Sequence, residues 1–246
     1  MREQWFSLNW PAPATVRALQ TTRLGGTSSP PYDSLNLGAG VDDDPARVEA
    51  NRERLQRLAA LPSSPVWLRQ VHGVDVVAAH AVEGPPEADA SWTDRPGVVC
   101  AVLTADCLPV LFCDRAGRRV AAAHAGWRGL AAGVLERTVE AMAIDSAELF
   151  AWLGPAIGRD AFEVGDEVRD HFLRVDPGAS AAFRAGHPGH WYADLFRLAR
   201  RRLNGIGVRD VLGGEHCTVS TPELFYSHRR DGRRTGRMAS LVWLEE

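Results

Sequence analysis

The apolar positions of the chain recur at helical spacing in four segments. The clearest start is Asp42 to Asp44 followed by Pro45, because an aspartate side chain caps free backbone N–H groups and proline suits the first helical turn. This helix is predicted to end near Leu61. The other segments with helical spacing are 130–142, 166–175 and 193–203.

Short apolar runs between turn-forming residues predict strands. The longest run, 97–113, is interrupted at Thr104-Ala105-Asp106-Cys107. Glycine and proline predict a loop at 84–96 and a turn at 154–158, and the opening segment 11–31 reads as a short strand leading into a long loop. Further strands are predicted at 66–71, 74–79, 120–124, 150–153, 224–228 and 237–244.

Strands and helices are mixed along the chain without a regular β-α-β alternation. This order favours an α+β fold with mixed sheets over a doubly wound parallel sheet. No linker rich in proline, glycine or serine divides the sequence, so residues 1–246 are expected to form a single domain. No stretch reaches the ~18 consecutive apolar residues of a membrane span, and the first residues lack the apolar core of a secretory signal.

The charge balance and the choice of basic residue exclude several classes of protein. The net charge is −3 and the isoelectric point is about 6.2, which argues against general binding to nucleic acid or anionic membranes. All 28 basic residues are arginine, and lysine is absent. Phosphate loops of the Walker type, Schiff-base enzymes and Ser-x-x-Lys acyl enzymes all need a lysine and are therefore excluded for this chain alone.

The four cysteines are too few for a disulfide scaffold in a chain of 246 residues. A reducing, cytoplasmic location is therefore expected. The assembly state stays open, with a homodimer among the alternatives.

Three residues with ligand chemistry lie at the ends of predicted buried strands: His72, Cys107 and His124. Their wide spacing means that the fold would have to bring them together. Two imidazoles and one thiolate match a catalytic zinc site, in which a fourth position is left for water. The alternative is that Cys107 is a small buried hydrophobic residue and that each histidine is an ordinary hydrogen-bonding group. From the residues alone, both interpretations remain open.

Other polar residues near these positions admit two interpretations each. Asp106 could orient a ligand or exchange a proton, or it could simply form a turn. The glycine-flanked turn after His124 could present N–H groups to an anion, with Arg128 as an added donor. A basic run at 227–237, which contains Arg230, is typical of a solvated hairpin tip from which one or two arginines reach a substrate.

The sequence resembles the YfiH family, long labelled polyphenol oxidase or laccase and now described as purine nucleoside phosphorylases. The resemblance extends in order over nearly the whole chain. The motifs that carry it are Thr22-Arg23-x-Gly-Gly, Ser34-Leu35-Asn36-Leu37-Gly38, Arg69-Gln70-Val71-His72-Gly73, Thr104-Ala105-Asp106-Cys107-x-Pro109, His124-Ala125-Gly126-Trp127-Arg128-Gly129, Gly154-Pro155-x-Ile157-Gly158, Glu163-Val164-Gly165, and the tail from Cys217-Thr218 to Thr235-Gly236-Arg237.

This resemblance implies a single-domain α/β/β/α sandwich with zinc held by His72, Cys107 and His124. It also implies phosphorolysis of adenosine, inosine, guanosine and methylthioadenosine, together with hydrolytic deamination of adenosine. The substrates would be a purine nucleoside and phosphate. On the matching motifs, the residues expected to act in catalysis are Cys107, Asp106 and Arg23, and those expected to bind substrate are Asn36, Arg69, Arg128 and Arg230.

Three alternative functions are compatible with the same residue types. A set of two histidines and one cysteine also describes blue copper, so a copper phenol oxidase is an alternative and copper an alternative metal. That site usually takes an axial methionine, and this sequence has only Met1, Met142 and Met238. An amidase that edits peptidoglycan precursors is the second alternative, and a binding protein without catalysis is the third.

Overall fold

A computed structural model describes residues 4–245 of the chain. In this range the strands are β1 (Trp5–Ser7), β2 (Val16–Thr21), β3 (Val76–Ala78), β4 (Ala90–Thr93), β5 (Cys100–Thr104), β6 (Leu108–Asp114), β7 (Val120–Ala125), β8 (Leu149–Leu153), β9 (Glu163–Gly165), β10 (Phe183–Ala185), β11 (His190–Ala193), β12 (Asp210–Gly213) and β13 (Met238–Leu244). The α-helices are α1 (Pro45–Leu58), α2 (Trp127–Ala132), α3 (Val134–Met142), α4 (Asp166–Val175), α5 (Leu195–Gly205) and α6 (His228–Asp231), and short 3-10 helices lie at Ala79–Ala81, Ser146–Glu148 and Pro177–Ala182.

Among the described residues, the strands form two large sheets and one small sheet. The six-stranded sheet has the order β12-β8-β6-β7-β4-β3, the four-stranded sheet has the order β1-β2-β13-β5, and β10-β11-β9 form the third sheet. Most neighbours are antiparallel, whereas β12 with β8 and β3 with β4 run parallel. The prediction of mixed sheets is confirmed.

The two large sheets pack face to face and carry helices on their outer sides. Apolar side chains from both sheets meet between them, including Val102 of β5, Leu111 of β6 and Val242 of β13. The outer face of the six-stranded sheet packs against α3, α4 and α5. The outer face of the four-stranded sheet packs against Leu55 of α1. The layers therefore follow the expected α/β/β/α order. Within residues 4–245, no helix is long and apolar enough to cross a bilayer.

The predicted helices agree with the structure except at one break. Asp44 caps α1 by accepting a hydrogen bond from the N–H of Ala46, as the carboxylate before Pro45 predicts. Helix α4 has the predicted bounds. The predicted helix 130–142 is divided into α2 and α3, because Gly133 adopts φ 104°, a left-handed conformation that ends the first helix.

Three predictions about strands are wrong. Residues 66–71 form only isolated bridges, at Val66 and Arg69, and no continuous strand. Residues 224–228 form a turn that leads into α6, because Ser227 caps this helix by accepting a hydrogen bond from the N–H of Arg230. The predicted loop 84–96 contains β4, which the flanking prolines obscured and which pairs antiparallel with β7.

Candidate metal centre

The three predicted ligands lie on separate elements that meet at one end of the six-stranded sheet. His124 belongs to β7, and Cys107 directly precedes β6. These two strands are antiparallel neighbours in which Pro109 is opposite His124, so the start of β6 lies beside the end of β7. His72 lies in the turn before β3 and adopts φ 62°, which is uncommon for a residue with a side chain.

The ligand atoms of these three residues converge. They lie within 4.8 Å of one another, and within residues 4–245 this is the one group of three or more His, Cys, Asp or Glu residues arranged to hold a metal ion. The Cys107 Sγ atom is 3.7 Å from Nε2 of His72. Tetrahedral zinc with bonds of about 2.1 Å to nitrogen and 2.3 Å to sulfur separates such ligands by about 3.6 Å. The donor set and this spacing therefore fit a zinc ion with one further coordination position.

A fourth residue, Asp89, forms hydrogen bonds with two of the predicted ligands, His72 and His124. Its carboxylate is fully buried and accepts hydrogen bonds from the backbone N–H groups of Val71, His72 and Gly73, at 3.2, 3.0 and 2.6 Å. The same carboxylate lies 2.7 Å from Nδ1 of His124. One side chain thus determines both the shape of the His72 turn and the orientation of the His124 ring.

The contact between Asp89 and His124 also determines which ring nitrogen is available to a metal ion. A proton on Nδ1 is donated to the carboxylate, which leaves Nε2 as the nitrogen that faces Cys107 and His72. Burial opposes the ionisation of Asp89, but hydrogen bonds from His124 and from the His72 turn outweigh it and lower the pKa of this carboxyl group. Sequence reasoning did not identify Asp89, because it lies in the segment predicted to be a loop.

The surrounding charges favour the thiolate form of Cys107, which is the form that can bind a metal ion. Burial opposes ionisation of Cys107, yet the charge of His124 and hydrogen bonds from both histidines lower the pKa of the thiol to about 6. Burial likewise opposes the charged form of His124, but the thiolate and Asp89 raise the pKa of this imidazole to about 9. Without a metal, Cys107 and His124 therefore form a thiolate–imidazolium pair, and a binding cation displaces the imidazolium proton.

Gly126, which follows β7, gives the ligands the space to approach each other. A Cβ atom at this position would lie 2.8 Å from Cδ2 of His72 and 3.0 Å from Sγ of Cys107. Real side chains do not tolerate such short contacts. An anion-binding turn was one of two interpretations of this glycine-flanked segment, and in the structure Gly126 has a steric role beside the predicted ligands.

Asp106 precedes Cys107 but is turned toward the C-terminal part of the chain. Its carboxylate accepts hydrogen bonds from the Thr218 hydroxyl, from the Ser227 hydroxyl at 3.0 Å and from the N–H of Arg229 at 2.6 Å. The residue itself adopts φ 88°. Asp106 thereby holds the segment around α6 against the metal centre, and its role in proton transfer stays a prediction.

Two of the predicted functional residues near the N-terminus make extensive contacts within the protein. Arg23 donates to the carbonyls of Asp33 and Pro222, pairs with the Asp33 carboxylate at 3.4 Å, and stacks on the ring of Tyr226. Asn36 is fully buried, and its Oδ1 accepts hydrogen bonds from the N–H groups of Gly38 and Arg237. Both residues therefore support the loop that follows β2.

The remaining predicted substrate contacts differ in how available their guanidinium groups are. Arg230 donates to the carbonyls of Thr218 and Phe225, and it also pairs with the carboxylate of Asp231. Arg69 is exposed and pairs with Glu87. Arg128 is exposed and stacks on the ring of the adjacent Trp127. Substrate binding by these three arginines stays a prediction.

Comparison with known proteins identifies the family of this chain and agrees with its fold. Residues 17–245 match the family model described as multi-copper polyphenol oxidoreductase laccase. The chain is 59% identical over 244 residues to the purine nucleoside phosphorylase PA4543 of Pseudomonas aeruginosa, covering 98% of this chain and 99% of the relative. It is 57% identical over 239 residues to the purine nucleoside phosphorylase YfiH of Escherichia coli, covering 96% of both proteins.

Solved structures agree with this relationship. The crystal structure of the Neisseria meningitidis protein NMB0706 superposes with a TM-score of 0.96 at 53% identity, over 99% of this chain and 100% of that protein. YlmD from Geobacillus stearothermophilus superposes with a TM-score of 0.91 at 34% identity, over 100% and 98% of the two chains. The chain described here therefore belongs to the YfiH family of laccase-like proteins.

Proposed function

We propose that this protein is a zinc-dependent purine nucleoside phosphorylase that accepts adenosine, inosine, guanosine and methylthioadenosine and also deaminates adenosine. The observation that carries the proposal is the convergence of His72, Cys107 and His124 around one position, with Asp89 orienting the His124 ring. The names of the two relatives that are 59% and 57% identical supply the reaction class.

In the proposed phosphorolysis, an oxygen of phosphate forms a bond to the anomeric carbon of the ribose, and the bond from that carbon to the purine nitrogen breaks. The purine base leaves with the electron pair of that bond and takes up a proton, and ribose 1-phosphate is the second product. The protein must therefore hold an anion close to the sugar and supply a proton to the leaving base.

The residues of the centre have separate tasks in this proposal. His72, Cys107 and His124 hold the metal, and Asp89 positions two of them through the contacts described above. When bound, zinc supplies a Lewis acid that polarises a coordinated group. Asp106 and Arg23 are proposed to act in proton transfer and charge stabilisation, and Asn36, Arg69, Arg128 and Arg230 to contribute to substrate binding.

The proposed deamination uses water in place of phosphate. A water oxygen forms a bond to C6 of the purine, and the C6–N6 bond breaks with release of ammonia, so that adenosine becomes inosine. Because this step consumes no phosphate, the two activities are distinguished by omitting phosphate from the reaction.

The description of the matching family model favours copper as the competing metal. Multicopper oxidases hold several copper ions through many histidines, whereas one group of three ligands is present within residues 4–245. A mononuclear zinc centre therefore fits the described residues better than a multicopper cluster does. The amidase predicted as an alternative would use the same centre and is distinguished by its substrate.

The test measures metal content and products together. Purified protein is analysed for zinc and copper, then incubated with adenosine with and without phosphate, and the products are separated by chromatography. Adenine and ribose 1-phosphate are expected only with phosphate, and inosine is expected in both reactions. Stoichiometric copper with oxidation of phenols, or the absence of any purine product from the zinc-loaded protein, contradicts the proposal.

Two cysteine variants complete this test. Cys107→Ala is expected to lose the metal and both activities. Cys113→Ala, which alters a buried cysteine between the two large sheets, serves as the matched control and is expected to retain the metal.

A further inference from the structure

One arginine, Arg237, lies close to the segment that carries the predicted ligand Cys107. Arg237 directly precedes β13, and Met238, the first residue of that strand, pairs with Thr104 of β5. Thr104 begins the Thr-Ala-Asp-Cys segment that contains Cys107. The backbone of Arg237 is therefore held close to the turn that presents the metal-binding thiol.

The position of Arg237 is closely defined by its neighbours. Its N–H donates to Oδ1 of Asn36 at 2.9 Å, and its carbonyl accepts a hydrogen bond from Leu37. A Cβ atom at Gly38 would lie 2.7 Å from Cγ of Arg237, so the stem of the arginine packs directly on this glycine. The predicted substrate-binding residue Asn36 thus acts on Arg237 by holding its backbone.

Within residues 4–245, the guanidinium of Arg237 has no negative partner. Its Nη1 group donates to the carbonyls of Thr235 and Gly236 at 2.9 and 3.0 Å, and within residues 4–245 no carboxylate oxygen lies at ion-pair distance from it. Burial lowers the pKa of Arg237, opposed by the nearby ionisable groups Cys107, Asp106 and Tyr32. Both oxygens of the Asp106 carboxylate already accept hydrogen bonds from other groups.

The hydroxyl of Tyr32, in the same part of the structure, has no hydrogen-bond partner among residues 4–245. The Tyr32 side chain is 4% exposed, and its hydroxyl is buried. The Tyr226 hydroxyl donates to the backbone carbonyl of Tyr32 at 2.7 Å, and the Tyr226 ring packs against Gly236. Tyr32 and Arg237 are therefore parts of one packed cluster.

Among residues 4–245, these observations describe a guanidinium that has carbonyl acceptors but no negative partner, and a hydroxyl that has no hydrogen-bond partner. A partly buried positive charge and a buried hydroxyl are both costly unless a complementary group binds them. A guanidinium and a phenol together suit an oxyanion, because both donate hydrogen bonds and the charge favours an anion. The cluster therefore has the chemistry of an anion site next to the metal ligands.

We propose that Arg237 and the Tyr32 hydroxyl form an anion-binding subsite beside the metal centre and that this subsite binds the phosphate consumed in phosphorolysis. The identity of the anion as a co-substrate rests on the proposed function, whereas the subsite itself rests on the contacts of Arg237 and Tyr32. Asn36 and Gly38 position the arginine in this subsite.

The test compares Arg237→Met, Arg237→Lys and Tyr32→Phe with the wild type. Methionine keeps an apolar stem on Gly38 and removes the charge. Binding of inorganic phosphate to the zinc-loaded protein is measured by calorimetry, and the KM values for phosphate and for inosine are measured separately. Zinc content and thermal unfolding are recorded for every variant.

Arg237→Met is expected to weaken phosphate binding and raise the KM for phosphate by about 10- to 100-fold. Arg237→Lys is expected to restore part of this loss, and Tyr32→Phe to raise the same KM by about threefold to tenfold. The KM for inosine is expected to change little, and all variants are expected to retain zinc. The control is Arg184→Met, which removes an exposed arginine stacked on Tyr192 in the three-stranded sheet, and which is expected to leave phosphate affinity unchanged.

Unchanged phosphate affinity in Arg237→Met overturns the proposal. Loss of zinc or of folded protein in both Arg237 variants also overturns it, because the arginine would then serve the fold. The two proposals fail separately. A wild type that binds phosphate through Arg237 but cleaves no nucleoside contradicts the proposed function and leaves the subsite intact. A phosphorylase whose phosphate KM does not depend on Arg237 contradicts the subsite alone.

Discussion

Asp89 and Asp106 are both buried aspartates beside the same three ligands, yet they hold different parts of the molecule. Asp89 contacts the His72 turn and the His124 ring, so its hydrogen bonds end on two of the predicted ligands themselves. Asp106 contacts Thr218, Ser227 and Arg229, so its hydrogen bonds end on the segment around α6. Sequence distance from a ligand is therefore a poor guide to which carboxylate supports it, since Asp106 is adjacent to Cys107 in the chain.

Asp89→Asn is expected to have the largest effect and is the strongest test that the two aspartates hold different parts of the molecule. All the groups that form hydrogen bonds with the Asp89 carboxylate are donors. The asparagine amide would replace one of the two acceptor oxygens with a further donor. The free energy of unfolding is expected to fall by about 2–4 kcal/mol, and zinc affinity by about 10- to 100-fold. Urea denaturation and zinc competition with a chelator measure the two effects. Zinc affinity equal to that of the wild type would show that Asp89 does not orient the ligands.

Asp106→Asn is expected to have a smaller effect of a different kind. Loss of charge-assisted hydrogen bonds to the α6 segment should cost about 1–3 kcal/mol of unfolding free energy, while zinc is retained. Limited digestion with trypsin detects the change, because the arginine-rich residues 229–237 should be cut faster in the variant. If Asp106→Asn instead loses zinc as readily as Asp89→Asn, the two aspartates do not have separate roles.

The smallest expected effect is on the titration of Cys107 in the metal-free protein. In the wild type the thiol has a pKa of about 6, since the His124 charge favours the thiolate, so alkylation by iodoacetamide should approach its maximum rate by neutral pH. Removing the Asp89 charge lowers the pKa of His124, so a smaller fraction of the His124 imidazole is positively charged at a given pH. In Asp89→Asn the Cys107 pKa should therefore rise toward the ordinary thiol value of about 8.5.

Two further thiols and the second aspartate variant serve as controls for this titration. Burial raises the pKa of both Cys100 and Cys113 to about 12, so neither should react at neutral pH in the folded protein. Asp106→Asn should leave the alkylation profile of Cys107 unchanged. Equal profiles in wild type and Asp89→Asn would argue against electrostatic coupling through His124.

The parts of the fold that sequence predicted have strong local signals. Helix α4 carries acidic residues in its first turn and regular apolar spacing, and strands β6 and β7 are continuous apolar runs. The small sheet of β9, β10 and β11 was not predicted, because two of its three strands have only three residues and no clear alternation. Strand β9 is stabilised by pairing with the more distant β11, and the local sequence pattern does not record such pairing.

The same distinction applies to the site. His72, Cys107 and His124 could be proposed as ligands from their chemistry at strand ends, but the residues alone left an ordinary buried cysteine and histidines as the alternative, and the resemblance to the YfiH family favoured the metal site. That the three side chains converge is a property of the fold. Asp89 was missed because proline and glutamate dominate its segment, although the alternation in Ala90–Thr93 could have indicated a strand that begins directly after it. The role proposed for Arg237 rests on the absence, within residues 4–245, of a carboxylate at ion-pair distance, and no sequence pattern predicts which charged groups will lack an ion pair in the fold.

The location of β13 has a consequence for biosynthesis. This strand follows every other strand in the chain, but it lies inside the four-stranded sheet, between β2 and β5. A nascent chain that has emerged only as far as α6 contains His72, Cys107 and His124 but leaves facing edges of β2 and β5 without a partner. The four-stranded sheet can therefore close only after β13 has been translated, so the face-to-face packing of the two large sheets is expected to be completed after this last strand leaves the ribosome.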